Sequence, residues 1–181
     1  TPTYAALKVY VDNWRWQGVP FYLRSGKALK SKVSEIAVHF KQPALKMFNA
    51  PAGTRTETNI MSLCIQPDEG AHLTIEAKQP DSSEIKPVDL EFHYRTSFNV
   101  TMPEAYERLL LDALLGDSSL FIRSSTIETA WQIVDPILQG WEETPQQSPL
   151  VTYERGTWGP VEADELLDLD GRRWWVSCCE H

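Results

Sequence analysis

The chain has 181 residues, 42% of them hydrophobic and 23% charged, which suits one folded domain and argues against a disordered chain. Its formal net charge of −8 argues against a general nucleic-acid binder, because affinity for DNA comes largely from Lys and Arg neutralising phosphates. No apolar run approaches the ~20 residues of a membrane-spanning helix, and the first residues lack a basic–apolar–small leader pattern.

The first hundred residues alternate with period two, the pattern of half-buried strands. Leu7, Val9 and Val11 share one face; Val19, Phe21 and Leu23 repeat the pattern, and so do Ile36, Val38 and Phe40. Then come Met61, Leu63 and Ile65, next Leu73, Ile75 and Ala77, and last Val88, Leu90, Phe92 and Tyr94. Six strands with no helical pattern between them predict a large antiparallel sheet. Its second face, carrying polar residues, needs a cover, a partner or water.

The period then changes. Pro103 stands at a first helical position, the run from Ala105 to Leu115 follows, and Gly116 stops it. With Leu109, Leu110, Leu111, Leu114 and Leu115 leaving little polar face, this helix is expected to be deeply packed. Ser125-Thr126-Ile127-Glu128 reads as a capping box opening a second helix, in which Pro136 predicts a kink or break near Asp135. A shorter helix is expected from Pro160 to Asp170, ended by Gly171. The predicted class is α+β: a large, mostly antiparallel sheet with helices packed on one face.

Several chemistries lack their motifs. The nine glycines form neither G-x-G-x-x-G nor a phosphate loop ending in G-K-[ST], so no dinucleotide-binding half is present. H-E-x-x-H, paired C-x-x-C and G-x-S-x-G are absent too. Cys178, Cys179, Glu180 and His181 could ligate a metal singly, but consecutive residues do not easily close one tetrahedron, so no metal is expected. Three cysteines without framework spacing point to a reducing compartment. The four histidines (His39, His72, His93 and His181) stand beside no evident acid partner and read as surface or sheet-face residues.

Positive charge gathers at one place. Arg24-Ser25-Gly26-Lys27-Ala28-Leu29-Lys30-Ser31-Lys32 holds four cations and no acid in nine residues of an acidic chain. A lysine ~4 Å from a unit negative charge gains ~4 kcal/mol before desolvation near a protein surface, so the segment suits a small dianion such as a phosphate. Five extended steps span up to ~17 Å, so Lys27 and Lys32 reach one phosphate only if the loop bends. A solvated basic loop explains the same composition. Gln66-Pro67-Asp68-Glu69-Gly70 reads first as a turn between strands, from which Gln66 can offer an amide to a pocket.

Longer strings carry a family resemblance. Asp12-Asn13-Trp14-Arg15-Trp16-Gln17-Gly18-Val19-Pro20-Phe21, running into Leu23-Arg24-Ser25-Gly26-Lys27-Ala28-Leu29, is similar to the glucose-6-phosphate dehydrogenase family. So are Ile65 to Gly70, Pro103-Glu104-Ala105-Tyr106-Glu107-Arg108-Leu109-Leu110-Leu111-Asp112, and Trp158-Gly159-Pro160 with Glu162 to Leu167. These strings stand in family order across residues 1–175, and residues 176–181 are expected to form a mobile tail. The family oxidises glucose 6-phosphate to 6-phosphogluconolactone with NADP, or sometimes NAD, in the cytosolic pentose phosphate pathway. The resemblance implies an upstream Rossmann domain, a sheet domain through which dimers or tetramers form, and a cytoplasmic location.

Residue by residue, the resemblance makes Lys27 and Lys32 substrate contacts, with Gln66 placed near the sugar phosphate. Arg24 would support that loop or serve a second dinucleotide site found in some members. Cys64, His72, Thr74 and Trp158 stand where members with that second site carry Arg, Tyr, Lys and Arg. The family's catalytic histidine lies in an R-I-D-H-Y-L-G-K-E segment, of which Phe92-His93-Tyr94 is only an echo, so no catalytic residue is expected in this chain. Beginning at Thr1 without Met, the chain reads as an excised piece of a longer dehydrogenase, inactive alone. The alternatives are a naturally short, non-catalytic homologue acting as an assembly or regulatory module, and a sugar-phosphate binder without chemistry.

Overall fold

The structure is a computed structural model that describes residues 2–42, 58–82, 84–100 and 105–178. All six predicted strands are present: β1 (Tyr4–Tyr10), β2 (Pro20–Gly26), β3 (Ser34–His39), β4 (Ile60–Gln66), β5 (Gly70–Lys78) and β6 (Ile85–His93). Every ladder is antiparallel, and β3 to β6 pair in chain order as a four-stranded meander. The α+β class stands, but β1 and β2 form a separate two-stranded ribbon. The residues between β2 and β3 explain the division. Lys30 N–H donates to Thr157 O (2.8 Å), and Gly156 N–H donates to Ala28 O (2.9 Å), so this stretch bonds to residues 156–157.

Four helices follow: α1 (Tyr94–Phe98), α2 (Ala105–Leu115), α3 (Ser124–Glu143) and α4 (Val161–Asp168). The chain divides into two compact units. Thr101–Tyr153 with Thr1–Pro2 holds α2 and α3, while Thr3–Val100 with Glu154–His181 holds the strands, α1 and α4. Short α1 has no counterpart in the sequence reading. It ends at Asn99 in the left-handed region (φ +50°), and Tyr94 stacks on Phe98 at 5.9 Å.

Three expectations for the helical unit are corrected. Arg123 is the N-cap of α3 and its side chain makes no capping bond; Ser125 is already inside the helix, so the anticipated capping box does not form. Of the kink or break expected near Asp135, the break does not occur: Pro136 lies within an uninterrupted 20-residue α3, whose other turns carry it past the one backbone donor that proline removes. The leucines of α2 are not deeply packed: Leu110, Leu111 and Leu115 are exposed, and Leu114 is 86% exposed. A helix that is apolar on nearly every side and packs along one stripe leaves its other leucines in water. Its fully buried position is instead Asp112, whose Oδ1 lies 2.9 Å from Arg108 Nε one turn back. Gly116 stops α2 as expected, with φ +72°. Pro103 lies outside the described residues.

The two faces of the meander reverse the simple rule of apolar-in. Cross-strand pairing sets Ile36, Leu63, Ala71 and Phe92 in one row, and Val38, Met61, Leu73 and Leu90 in the next. This apolar face is open, with Ile36, Val38, Leu90 and Phe92 all exposed. The opposite face holds Glu35, Cys64, Gly70 and His93 in one row and Ala37, Ser62, His72 and Glu91 in the next. There Ser62, Cys64, Gly70 and His72 are buried. Residues 175–178 lie over this face. Trp175 meets His39 edge-on at 5.9 Å, Ser177 Oγ donates to Glu35 Oε1 at 2.8 Å, and Cys178 forms a disulfide with Cys64.

Helix α4 contributes the rest of the core. Ala163 and Leu167, four residues apart, are buried on one side of it, and Trp174 Nε1 donates to Ala163 O at 2.9 Å. Full burial of a leucine such as Leu167 contributes ~1.5–3 kcal/mol. Gly171, with φ +64°, closes the turn after α4, its N–H donating to Asp168 O.

Candidate functional site

The basic segment begins where β2 ends. A Cβ at Gly26 would lie 2.6 Å from Tyr4 Cδ2, so only glycine lets the tyrosine ring approach the strand there. Lys27 N–H donates to Thr3 O (2.9 Å), and Ala28 takes the left-handed conformation with φ +52°. The chain therefore bends immediately after Lys27, and the bonds to residues 156–157 hold the bend. Lys27 and Lys32 are both exposed.

Gln66 comes to the same end of the sheet through an irregularity that strand periodicity does not reveal. Ser34 pairs with Gln66, whereas Glu35 pairs with Cys64, so Ile65 is an extra residue in β4. Lys32 precedes Ser34 by two residues, at most ~7 Å of chain. The structure thus brings the Lys32 and Gln66 backbones to one end of the β3–β4 pair, with Gln66 exposed. The Gln66–Pro67 peptide is cis.

Arg24 is built into packing. Its guanidinium lies 4.7 Å from the ring centre of Trp174 and 5.2 Å from that of Trp158, a double cation–π contact. Burial pulls its pKa below the usual arginine value, while Tyr4, Asp164 and Glu35 oppose that shift. The other positions singled out for a second dinucleotide site are also engaged. Cys64 is in the disulfide, Thr74 Oγ1 donates to Asp89 Oδ1 at 2.7 Å, and His72 Nδ1 lies 3.8 Å from Glu91 Oε1.

Sequence reasoning assigned the histidines no acid neighbours, and cross-strand register overturns that. His93 Nδ1 lies 2.9 Å from Asp68 Oδ2, and the His72 and His93 rings meet edge-on with centres 5.1 Å apart. The only available signal was the pairing of β5 with β6, which sets His72 opposite Glu91 and Gly70 opposite His93. A hollow of about 230 Å³ lies on the other, apolar face of the meander, lined by Met61, Ala71, Leu73, Leu90 and Phe92.

The fold is that of an antiparallel α+β domain, with a bent basic loop after β2 and Gln66 at the end of β4. Residues 1–175 match the family described as "Glucose-6-phosphate dehydrogenase, C-terminal domain", and the chain belongs to that family. Among curated proteins it is 44% identical over 176 residues to the glucose-6-phosphate 1-dehydrogenase of Treponema pallidum (strain Nichols), covering 96% of this chain and 34% of that protein. It is 45% identical over 175 residues to the enzyme of Mycolicibacterium smegmatis (strain ATCC 700084 / mc(2)155), covering 96% and 35%. Among solved structures, the glucose-6-phosphate 1-dehydrogenase of Mycobacterium avium aligns with TM-score 0.78 at 35% identity, covering all of this chain and 37% of that one. A glucose-6-phosphate dehydrogenase in complex with its substrate glucose-6-phosphate aligns with TM-score 0.80 at 34% identity, covering 96% and 35%. The chain spans about a third of the length of the curated relatives it matches.

Proposed function

We propose that this chain supplies the substrate-phosphate contacts and the subunit interface of a glucose-6-phosphate dehydrogenase. In the whole protein, hydride passes from glucose 6-phosphate to NADP, and 6-phosphogluconolactone results. The observation that carries this reading is the loop after β2. It bends at Ala28, with Lys27 bonded to Thr3 before the bend and Ala28 and Lys30 bonded to residues 156–157, and a bend is what two lysines need if they are to meet one phosphate. Lys27 and Lys32 hold the phosphate by charge, and Gln66 donates its amide from the end of β4. Hydride acceptance and proton abstraction fall to a Rossmann domain elsewhere in the whole protein, which binds NADP.

The open apolar face of the meander supports assembly into a homodimer or tetramer, since an interface core of this kind is normally covered. The use of Cys64, Thr74, His72 and Trp158 in internal contacts supports the absence of a second dinucleotide site. A cytoplasmic setting agrees with the family's pathway; there, the thiol–disulfide poise decides whether Cys64 and Cys178 stay joined.

The test is kinetic. In the full-length protein, Lys27→Ala and Lys32→Ala each raise KM for glucose 6-phosphate by ~10–100-fold, the worth of one charged hydrogen bond, and leave the KM for NADP in place. Unchanged glucose 6-phosphate KM in both variants overturns the assignment. The 181-residue chain alone is expected to give no NADP reduction with glucose 6-phosphate.

A further inference from the structure

We propose that His72, Glu91 and His93 form a binding site for a divalent late transition metal of the zinc type, separate from the sugar-phosphate loop. One ligand-capable atom from each of the three lies within 4.8 Å of the others. Two imidazoles and one carboxylate are borderline-soft ligands that suit zinc and its neighbours, whereas magnesium and calcium take oxygen ligands. Around a tetrahedral zinc, ligand atoms at ~2.0–2.2 Å from the metal sit about 3.4 Å apart. The three groups must therefore close by roughly an ångström. The side chain of Glu91, 43% exposed, has the freedom to swing inward.

The fold holds the two histidines in advance. His72 is buried on β5, directly opposite Glu91 of β6, and His93 follows two residues later on the same face. Both backbones are fixed by the ladder, so binding orders little that is not already ordered. Asp68, on the turn before β5, places Oδ2 at 2.9 Å from His93 Nδ1. A carboxylate behind a metal-bound imidazole fixes the ring and directs the other nitrogen, Nε2, to the metal, and such outer partners are worth ~10–100-fold in affinity. Tyr94 N–H donates to Glu69 O at 3.1 Å, so the turn and the end of β6 are joined by backbone as well. The metal would therefore clamp the β4–β5 turn to β6, in a structural role. Three protein ligands leave the fourth position to water.

The test uses the full-length protein after chelator treatment. Zinc affinity is measured by competition with a chromophoric chelator, and cobalt(II) supplies the visible bands of a four-coordinate ion. The wild type should take up cobalt with those bands and bind zinc at least ~10-fold more tightly than His93→Gln and than Glu91→Gln. Glu91→Gln is nearly isosteric at an exposed position, so it tests the site even if His93→Gln fails to fold. Asp68→Asn should weaken binding without removing it. Equal zinc affinity in the wild type and Glu91→Gln, or no four-coordinate cobalt spectrum in the wild type, overturns the proposal and leaves the cluster as an imidazole–carboxylate ion-pair network.

Discussion

The ring of Tyr4 occupies the space in which any residue other than glycine at position 159 would carry its Cβ. That atom would lie 2.4 Å from Tyr4 Cε2 and 2.6 Å from Cζ. Gly159 also has φ +116°, a conformation L side chains rarely adopt. The first strand and the Trp158-Gly159-Pro160 motif are thus fitted to each other across the length of the chain.

Gly159→Ala is therefore expected to destabilise the protein by ~2–4 kcal/mol through backbone strain plus overpacking, read as a lower urea midpoint with unchanged slope. Tyr4→Leu in the same chain should recover part of the loss, because the clash goes while the φ penalty stays. A Gly159→Ala midpoint equal to the wild type would show that the ring does not occupy that space.

The disulfide between Cys64 and Cys178 spans 114 residues of sequence and fastens the end of the chain to the buried face of the meander. A cross-link closing so long a loop stabilises by ~2–4 kcal/mol in most proteins, largely through the unfolded state. Cys178→Ser should lower stability by that amount, and excess reductant should bring the wild type to the same level. If reductant leaves the wild-type melting curve untouched while free thiols titrate as three, the two sulfurs are not bonded.

Asp170 receives Lys8 Nζ at 2.6 Å and a hydrogen bond from the Tyr22 hydroxyl. The bonds to Lys8 and Tyr22 hold the Asp170 carboxyl below its ordinary range, and the bond to Asp170 raises the Lys8 ammonium above its own. A depressed carboxyl pKa adds stability that is present above its unfolded value near 4 and is lost as pH falls through the folded one. A raised lysine adds stability that is present below its unfolded value and lost as pH climbs past the folded one. Asp170→Asn should flatten the acid limb of the stability–pH curve below pH ~4 and the alkaline limb above pH ~10, with little change in slope between. Acid and alkaline limbs identical to those of the wild type would sink this account.

Much of the fold was legible because strand periodicity is strong where side chains alternate. Ile36–Val38 and Leu90–Phe92 betray their strands whichever face is covered, since alternation depends on the pleat. Which face would be covered was not legible. Ser62 and His72 lie on the polar register yet are buried, on the face to which residues 175–178 return from more than a hundred positions away to meet Glu35, His39 and Cys64. The same distance hid the disulfide. The basic loop could be found from charge alone, and its bend was a stated requirement that Ala28 meets without glycine. Neither the extra residue at Ile65 nor the acid neighbours of His72 and His93 could be read from sequence, because both depend on register between strands. The α3 cap failed for a local reason: the helix begins at Ser124, one residue before the serine of the motif.

The strand unit is assembled from two stretches, Thr3–Val100 and Glu154–His181, with the helical excursion between them. Vectorial synthesis must therefore deliver all six strands, and then both long helices, before the piece that roofs Ser62 and Cys64 leaves the ribosome. A stop codon soon after position 153 would leave the helical excursion whole and the meander without the segment that bonds to Glu35 and Cys64, a nascent product fit for chaperones and proteases rather than for assembly.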